Sequence, residues 1–176
     1  MKKIAAFAGS TSTTSINKQL ATYAASQLEN VSFDVLDLND YTTPVFSEDI
    51  ERDEEYPEGA AKFNEALDKY DGFIVSLAEH NGSYSAAFKN IFDWASRKDR
   101  KVFRDKPVLV MAASPGGRGG AGVLASALGT FPHMGANVAS NFSLPVFYDN
   151  FKEGSIVNEE LNKKLKEAVT TFENVV

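Results

Sequence analysis

Short apolar runs alternate with longer amphipathic stretches along the whole chain. Ile4–Ala8 has no polar interruption, the pattern of a strand buried on both faces. Ile16–Leu28 then sets Ile16, Leu20, Tyr23, Ala24 and Leu28 near a 3.6-residue period, which predicts a helix. Ser32–Leu38 alternates as a strand does. Asp40–Tyr56 has no period and is rich in acids, so it reads as a long loop, a kind that is usually functional or mobile. Pro57 suits the start of a helix that Ala60–Tyr70 continues. Gly72–Ala78 is an apolar strand, Glu79–Ser83 a polar turn, and Ser85–Arg97 a helix with Phe88, Ile91, Phe92 and Ala95 on one face. Pro107–Ala113 is the most apolar strand and Ser114–Gly120 is glycine-rich. Val123–Met134 is a helix weakened by Gly129 and Pro132, Ala136–Ser140 a last strand, and Val157–Phe172 a terminal amphipathic helix.

Strands and helices therefore alternate, and the strands are near-continuous apolar runs. That predicts an α/β architecture of three layers: a five-stranded parallel sheet with helices on both faces. Ligands of such sheets sit at the carboxyl ends of the strands, where the strand order reverses. In the strand order 2-1-3-4-5, the loops after the first, third and fourth strands, Gly9–Ser15, Glu79–Ser83 and Ser114–Gly120, would lie there side by side.

The chain has 176 residues, 43% of them hydrophobic, enough for one domain over 1–176 with a sizeable core. A net charge of −6 argues against nucleic acid or an anionic membrane as partner. Without cysteine there is no disulfide, thiolate chemistry or iron–sulfur site. Lys2 and Lys3 precede only Ile4–Ala8, too short a run for a secretory or membrane-spanning segment, so a cytoplasmic location is expected and the Asn-x-Ser sequons at Asn30, Asn81 and Asn141 carry no weight.

From Ser10 to Ser15 every residue carries a hydroxyl, directly before a helix. A helix N-cap needs one such residue; a run of them around free N–H groups suits a bound phosphate. No G-x-x-x-x-G-K follows, so this is not a triphosphate-hydrolysing loop. In the second loop Asn81-Gly82 is explained by a tight turn, whereas Glu79 and His80, bulky and polar at the mouth of a buried strand, are expected to face water or a ligand. With His133 the only other histidine, a metal site there has little support. The third loop contains a literal G-x-G-x-x-G at Gly117, Gly119 and Gly122. It does not follow the first strand, and no Asp or Glu occurs from Lys106 to Tyr148, so the dinucleotide reading fails. Its glycines offer backbone N–H groups to a flat ligand, and Arg118 adds a positive charge. Trp94 and the Phe88 stripe have the spacing of core or subunit interface.

Together these loops resemble the NAD(P)H-dependent FMN reductase family of flavodoxin-like proteins, which includes quinone, azo and chromate reductases. Gly9-Ser10…Ser15-Ile16-Asn17…Leu20-Ala21 is similar to the family's G-S-x-R-x-x-S-x-N loop and following helix. Glu79-His80-Asn81-Gly82-Ser83-Tyr84, then Phe88-Lys89-Asn90 and Asp93-Trp94, follow its second motif, E-Y-N-G-S-Y-x-x-x-L-K-N-x-x-D-W. Ser114, Gly116, Gly119 and Gly120 match S-x-G-x-x-G-G. The resemblance implies FMN as cofactor and NADPH or NADH as hydride donor, with hydride passing through flavin N5 to a small-molecule electron acceptor. It implies that Ser10, Ser12, Ser15, Ile16 and Asn17 hold the phosphate, that Glu79, His80, Asn81, Gly82 and Ser83 run along the ribityl chain and ring edge, and that Ser114, Gly116, Gly117 and Arg118 flank the pyrimidine side. Arg118, the loop amides and the N-terminus of the following helix would then stabilise negative charge on reduced flavin, which makes Arg118 the candidate catalytic residue. A homodimer or homotetramer is implied, with Phe88–Trp94 a candidate interface. Three positions depart from the family: Ser12 replaces its arginine, Ala78 its proline and His80 its tyrosine. The alternative from another class is a flavodoxin-type electron carrier without NAD(P)H oxidase activity.

Overall fold

A computed structural model describes residues 1–176. Five parallel strands form the central sheet: β1 (Lys3–Gly9), β2 (Ser32–Leu36), β3 (Gly72–Leu77), β6 (Lys106–Ala113) and β7 (Ala136–Leu144), in spatial order β2-β1-β3-β6-β7. This is the expected 2-1-3-4-5 order. Two further strands, β4 (Glu79–His80) and β5 (Ser83–Tyr84), make a small antiparallel hairpin. α1 (Ile16–Ala25) and α7 (Glu159–Glu173) cover one face; α3 (Glu58–Asp68), α4 (Ala86–Lys98) and α5 (Ala121–Thr130) cover the other.

The period-2 alternation of each strand divides the core into two apolar layers. Phe7, Phe73, Val75, Val108 and Val110 pack under α3, α4 and α5 with Phe63, Phe88 and Trp94. Ile4, Ala6, Ile74, Leu109 and Met111 pack under α1 and α7 with Leu20, Leu165 and Phe172. Central strands buried on both sides explain why their sequences are unbroken apolar runs. No helix is long and apolar enough to cross a membrane.

The stretch read as a loop at 40–56 has structure of its own. A 3-10 turn covers Leu38–Asp40, and α2 (Glu48–Asp53) is capped by the Ser47 side chain. α4 straps this segment down: the Pro44 carbonyl accepts from Trp94 Nε1 at 2.8 Å and Asn90 Nδ2 at 2.9 Å, and Asn90 Oδ1 accepts from Phe46 N at 2.8 Å. The Phe46 ring meets Trp94 edge-on at 4.9 Å. Trp94 is thereby buried, and Phe88 and Ile91 are buried within the same chain. These side chains are core, one of the two places expected for that stripe.

β7 runs four residues beyond the expected Ser140, with a shift of register against β6 between Val108 and Leu109. As an edge strand it mixes Asn137, Ser140 and Asn141 among its apolar residues, which blurred its end. After it come α6 (Phe147–Asn150) and the hairpin of β8 (Phe151–Lys152) and β9 (Ser155–Ile156), elements too short to carry a period.

Three carboxylates tie the β1–β2 edge together. Asp34 accepts from Lys3 and Tyr70, Asp37 from Lys18 and the Asn39 amide, and Asp71 from the Lys3 amide and Lys2. These donors hold all three below the ordinary carboxylate value of 3.8. A depressed folded-state value means the stabilisation is complete above the unfolded value and is lost as pH falls through the lowered ones. Thermal melts from pH 7 down to pH 2 should therefore show Tm declining below about pH 4, with a shallower decline in Asp34→Asn.

Candidate functional site

The carboxyl ends of β1, β3 and β6 bring the three loops to one cleft of about 330 Å³. Of the sequence-predicted residues, Ser10, Ser12, Ser15, Ile16, Asn17, Glu79, His80 and Ser114 line it. Asn81, Gly82, Ser83, Gly116, Gly117 and Arg118 are exposed around it and do not line it. Thr14, Ala78, Ala113, Pro115 and Tyr148 line it in addition. No group of His, Asp or Glu is placed to hold a metal ion.

Loop one curls into a turn over Ser12–Ser15, closed by Ser15 N donating to the Ser12 carbonyl at 3.2 Å. Ser10 Oγ accepts from Ser12 N at 3.1 Å, which leaves its own hydroxyl proton free. Ser15 Oγ is the N-cap of α1 and accepts from Lys18 N at 3.1 Å, so at this residue the capping role applies. The amides of Thr13, Thr14, Ile16 and Asn17 donate to nothing in the chain. A cluster of unspent N–H groups and hydroxyls at a helix N-terminus is an anion cradle. Lys18 does not serve it, because its Nζ is bonded to Asp37.

Two polar side chains of the expected site, those of Asn17 and Glu79, are bonded to backbone groups of the chain. Asn17 is 2% exposed, and its amide bridges to the sheet. Its Oδ1 accepts from Ala113 N at 2.9 Å and Ser76 Oγ at 2.7 Å, while its Nδ2 donates to the Ala113 carbonyl at 3.2 Å. Asn17 thus imitates one more strand residue beside β6 and locks loop one to loop three. Only its backbone amide remains for a ligand. Glu79 lines the cleft, and its Oε2 accepts from Val123 N at 2.7 Å, in the first turn of α5. A carboxylate is the natural guest of an N-terminus, and its presence means that α5 is already charge-compensated. Arg118 and the loop amides are left to meet negative charge at loop three. Arg118 is exposed and makes no ion pair within the chain, so its charge is available.

The remaining glycines and the Asn-Gly turn sort by space. Asn81 (φ 52°) and Gly82 (φ 78°) are the two positive-φ residues of a tight hairpin turn between β4 and β5. Gly122 is needed for Glu79, since a Cβ there would lie 2.8 Å from Glu79 Oε2. Gly119 (φ 59°) leaves room for Ser143 Oγ, which would stand 2.2 Å from a Cβ. Gly116 and Gly117 have open space where a side chain would project, so a ligand can approach their backbone closely. The literal G-x-G-x-x-G is thus shared among three unrelated duties.

Tyr148 was missed because it lies in the short, unperiodic segment after β7. Its one available signal was a large aromatic shortly after a strand's carboxyl end. It is 60% exposed and lines the cleft.

Residues 2–149 match the family model described as NADPH-dependent FMN reductase. A 2-hydroxy-1,4-benzoquinone reductase from Burkholderia sp. is 31% identical over 169 residues, covering 93% of this chain and 90% of that protein. An NADPH:quinone oxidoreductase from Arabidopsis thaliana is 26% identical over 97% of this chain and 90% of its own length. Among solved structures, FerB, a flavoenzyme NAD(P)H:(acceptor) oxidoreductase from Paracoccus denitrificans, superposes with a TM-score of 0.79 at 26% identity, over 99% of this chain and 97% of that one.

Asn17→Ala removes the partner of three buried polar groups, and each unsatisfied group costs about 1–3 kcal/mol. Urea denaturation should show a loss of about 2–4 kcal/mol, whereas Gln19→Ala, on the exposed face of the same helix, should change stability by less than about 0.5 kcal/mol.

Proposed function

The chain belongs to the NADPH-dependent FMN reductase family, and on that premise we propose that its three-loop cleft holds FMN, with residues 1–176 acting as one flavin-binding domain. It is an NAD(P)H-dependent flavin oxidoreductase. The observation that carries the site assignment is the pairing, within one cleft, of a cradle of unspent donors with an open glycine loop.

The residues fit the cofactor's two ends. The hydroxyls of Ser10 and Ser12 and the amides of Thr13, Thr14, Ile16 and Asn17 would hold the phosphate. The hairpin residues His80, Asn81, Gly82 and Ser83 would pass the ribityl chain, with Glu79 fixing that hairpin to α5 rather than touching the ligand. Ser114 and the open backbone of Gly116 and Gly117 would flank the ring. Bound FMN supplies the two-electron chemistry between NADPH or NADH and an acceptor. The protein holds the partners in register and places positive potential where negative charge grows. Arg118 is the group for the second task, since the N-terminus of α5 is spent on Glu79.

The phosphate would be held by neutral donors, because Ser12 stands where the family has arginine and Lys18 is paired with Asp37. A charge-assisted bidentate contact is therefore absent from loop one, which favours exchangeable over permanently bound FMN. Small quinones are the acceptor class that the two sequence relatives named above support. Their names also support an enzyme over an electron carrier.

Anaerobic titration with NADPH should bleach the visible flavin band of protein reconstituted with FMN, and steady-state NADPH oxidation should require a quinone acceptor. A chain that stays colourless with added FMN would sink the assignment. Arg118→Ala should slow flavin reduction in stopped flow by about tenfold or more while shifting the FMN dissociation constant by less than about threefold. Equal losses in both would remove Arg118 from its role.

A further inference from the structure

The segment after β7 is built with strain. Val146 adopts φ 46° and ψ 54°, a strained left-handed conformation that a β-branched residue rarely enters. Its surroundings impose it. Val146 N donates to the Gly116 carbonyl at 3.0 Å and Phe147 N to the Ser114 carbonyl at 3.1 Å, so the segment is bonded twice to loop three. Asn150 Nδ2 donates to the Pro145 carbonyl at 2.8 Å, and the buried Phe147 ring stacks on Phe151 at 4.8 Å.

What this anchoring presents to the cleft is Tyr148. Its ring stands edge-on to Phe147 at 5.6 Å, and its hydroxyl bonds to no group of the chain. The segment lies at the loop-one end. Phe151 meets Tyr23 of α1 edge-on at 5.8 Å, and a second hollow of about 310 Å³ between α1 and the β8–β9 hairpin shares Thr14 and Ser15 with the cleft. A free phenol therefore lines the same cleft as a cradle that carries no cation of its own.

We propose that the Tyr148 hydroxyl donates a hydrogen bond to the flavin phosphate, and that the strained Val146 turn is the device that aims it. The inference rests on the FMN reading above. A neutral donor on an ionised phosphate forms a charge-assisted bond, stronger than a bond between neutral groups, and it offsets part of what the missing arginine would supply. The role is cofactor binding and separates from ring recognition, because riboflavin shares the ring and ribityl chain of FMN and lacks the phosphate.

The test compares the dissociation constants of FMN and riboflavin, by flavin fluorescence quenching, for the wild-type chain, Tyr148→Phe and Tyr148→Ala. The exposed ring and unbonded hydroxyl leave the fold without a stake in either substitution, and circular dichroism melts check this. Tyr148→Phe should weaken FMN by about tenfold and leave riboflavin within about twofold; Tyr148→Ala should weaken FMN at least as much. A Phe variant that binds FMN as the wild type does, or that weakens both flavins equally, overturns the proposal while the FMN reading stands. A wild-type chain that binds neither flavin overturns the FMN reading itself.

Discussion

The cleft depends on the buried amide of Asn17. Three polar groups at the ends of β3 and β6 would be unsatisfied without it, namely Ser76 Oγ and the Ala113 amide and carbonyl. Because that bridge starts in the first turn of α1, it fixes the hydroxyl loop against the glycine loop. Two other contacts complete a triangle. Ser85 Oγ, the N-cap of α4, donates to the Gly9 carbonyl at 2.7 Å and ties loop one to the hairpin. Glu79 ties the hairpin to α5. Each pair of loops is thus joined by a side chain bonded to backbone, the arrangement that holds a binding site in place before its ligand arrives.

This triangle spends some of the most polar residues of the loops on structure. What remains for a ligand is mostly backbone: amides at the start of α1 and the open edge at Gly116 and Gly117. A site made of backbone donors recognises shape and an anionic end. Chemistry carried by a redox cofactor asks for no protein nucleophile. Charge is sparse as well. Lys18 is neutralised, α5 is compensated, and Arg118 is the unpaired cation of the glycine loop. One exposed arginine can respond to charge that appears during reaction without holding the resting cofactor tightly.

The segment from Pro145 to Ile156 plays a part that the three-loop picture lacks. It crosses from the far edge of the sheet to α1 and carries an aromatic to the cleft. The strap at 41–56 does the same for the opposite layer, where it buries Trp94. Both segments are irregular, and both are held by side chains from elements distant in sequence.

The sequence by itself determined the parallel sheet and which loops end its strands, and the family resemblance carried the strand order. Continuous apolar runs such as Ile4–Ala8 and Pro107–Ala113 fit only strands buried on both faces, and the alternation with helices forces parallel crossovers. It also determined the Asn81-Gly82 turn, since two adjacent positive-φ positions select those residues. Tertiary structure decided what Asn17 and Glu79 do. A polar side chain at a loop that ends a strand looks the same in sequence whether it waits for a ligand or satisfies a neighbouring backbone group, and the neighbours lie 96 and 44 residues away. It decided, for the same reason, which glycines open the cleft and which make room for Ser143 and Glu79. It alone brought Tyr148 to the site, because the contacts that aim it run from Val146 to Gly116 and from Phe147 to Ser114, and no local pattern encodes a partner that the fold supplies.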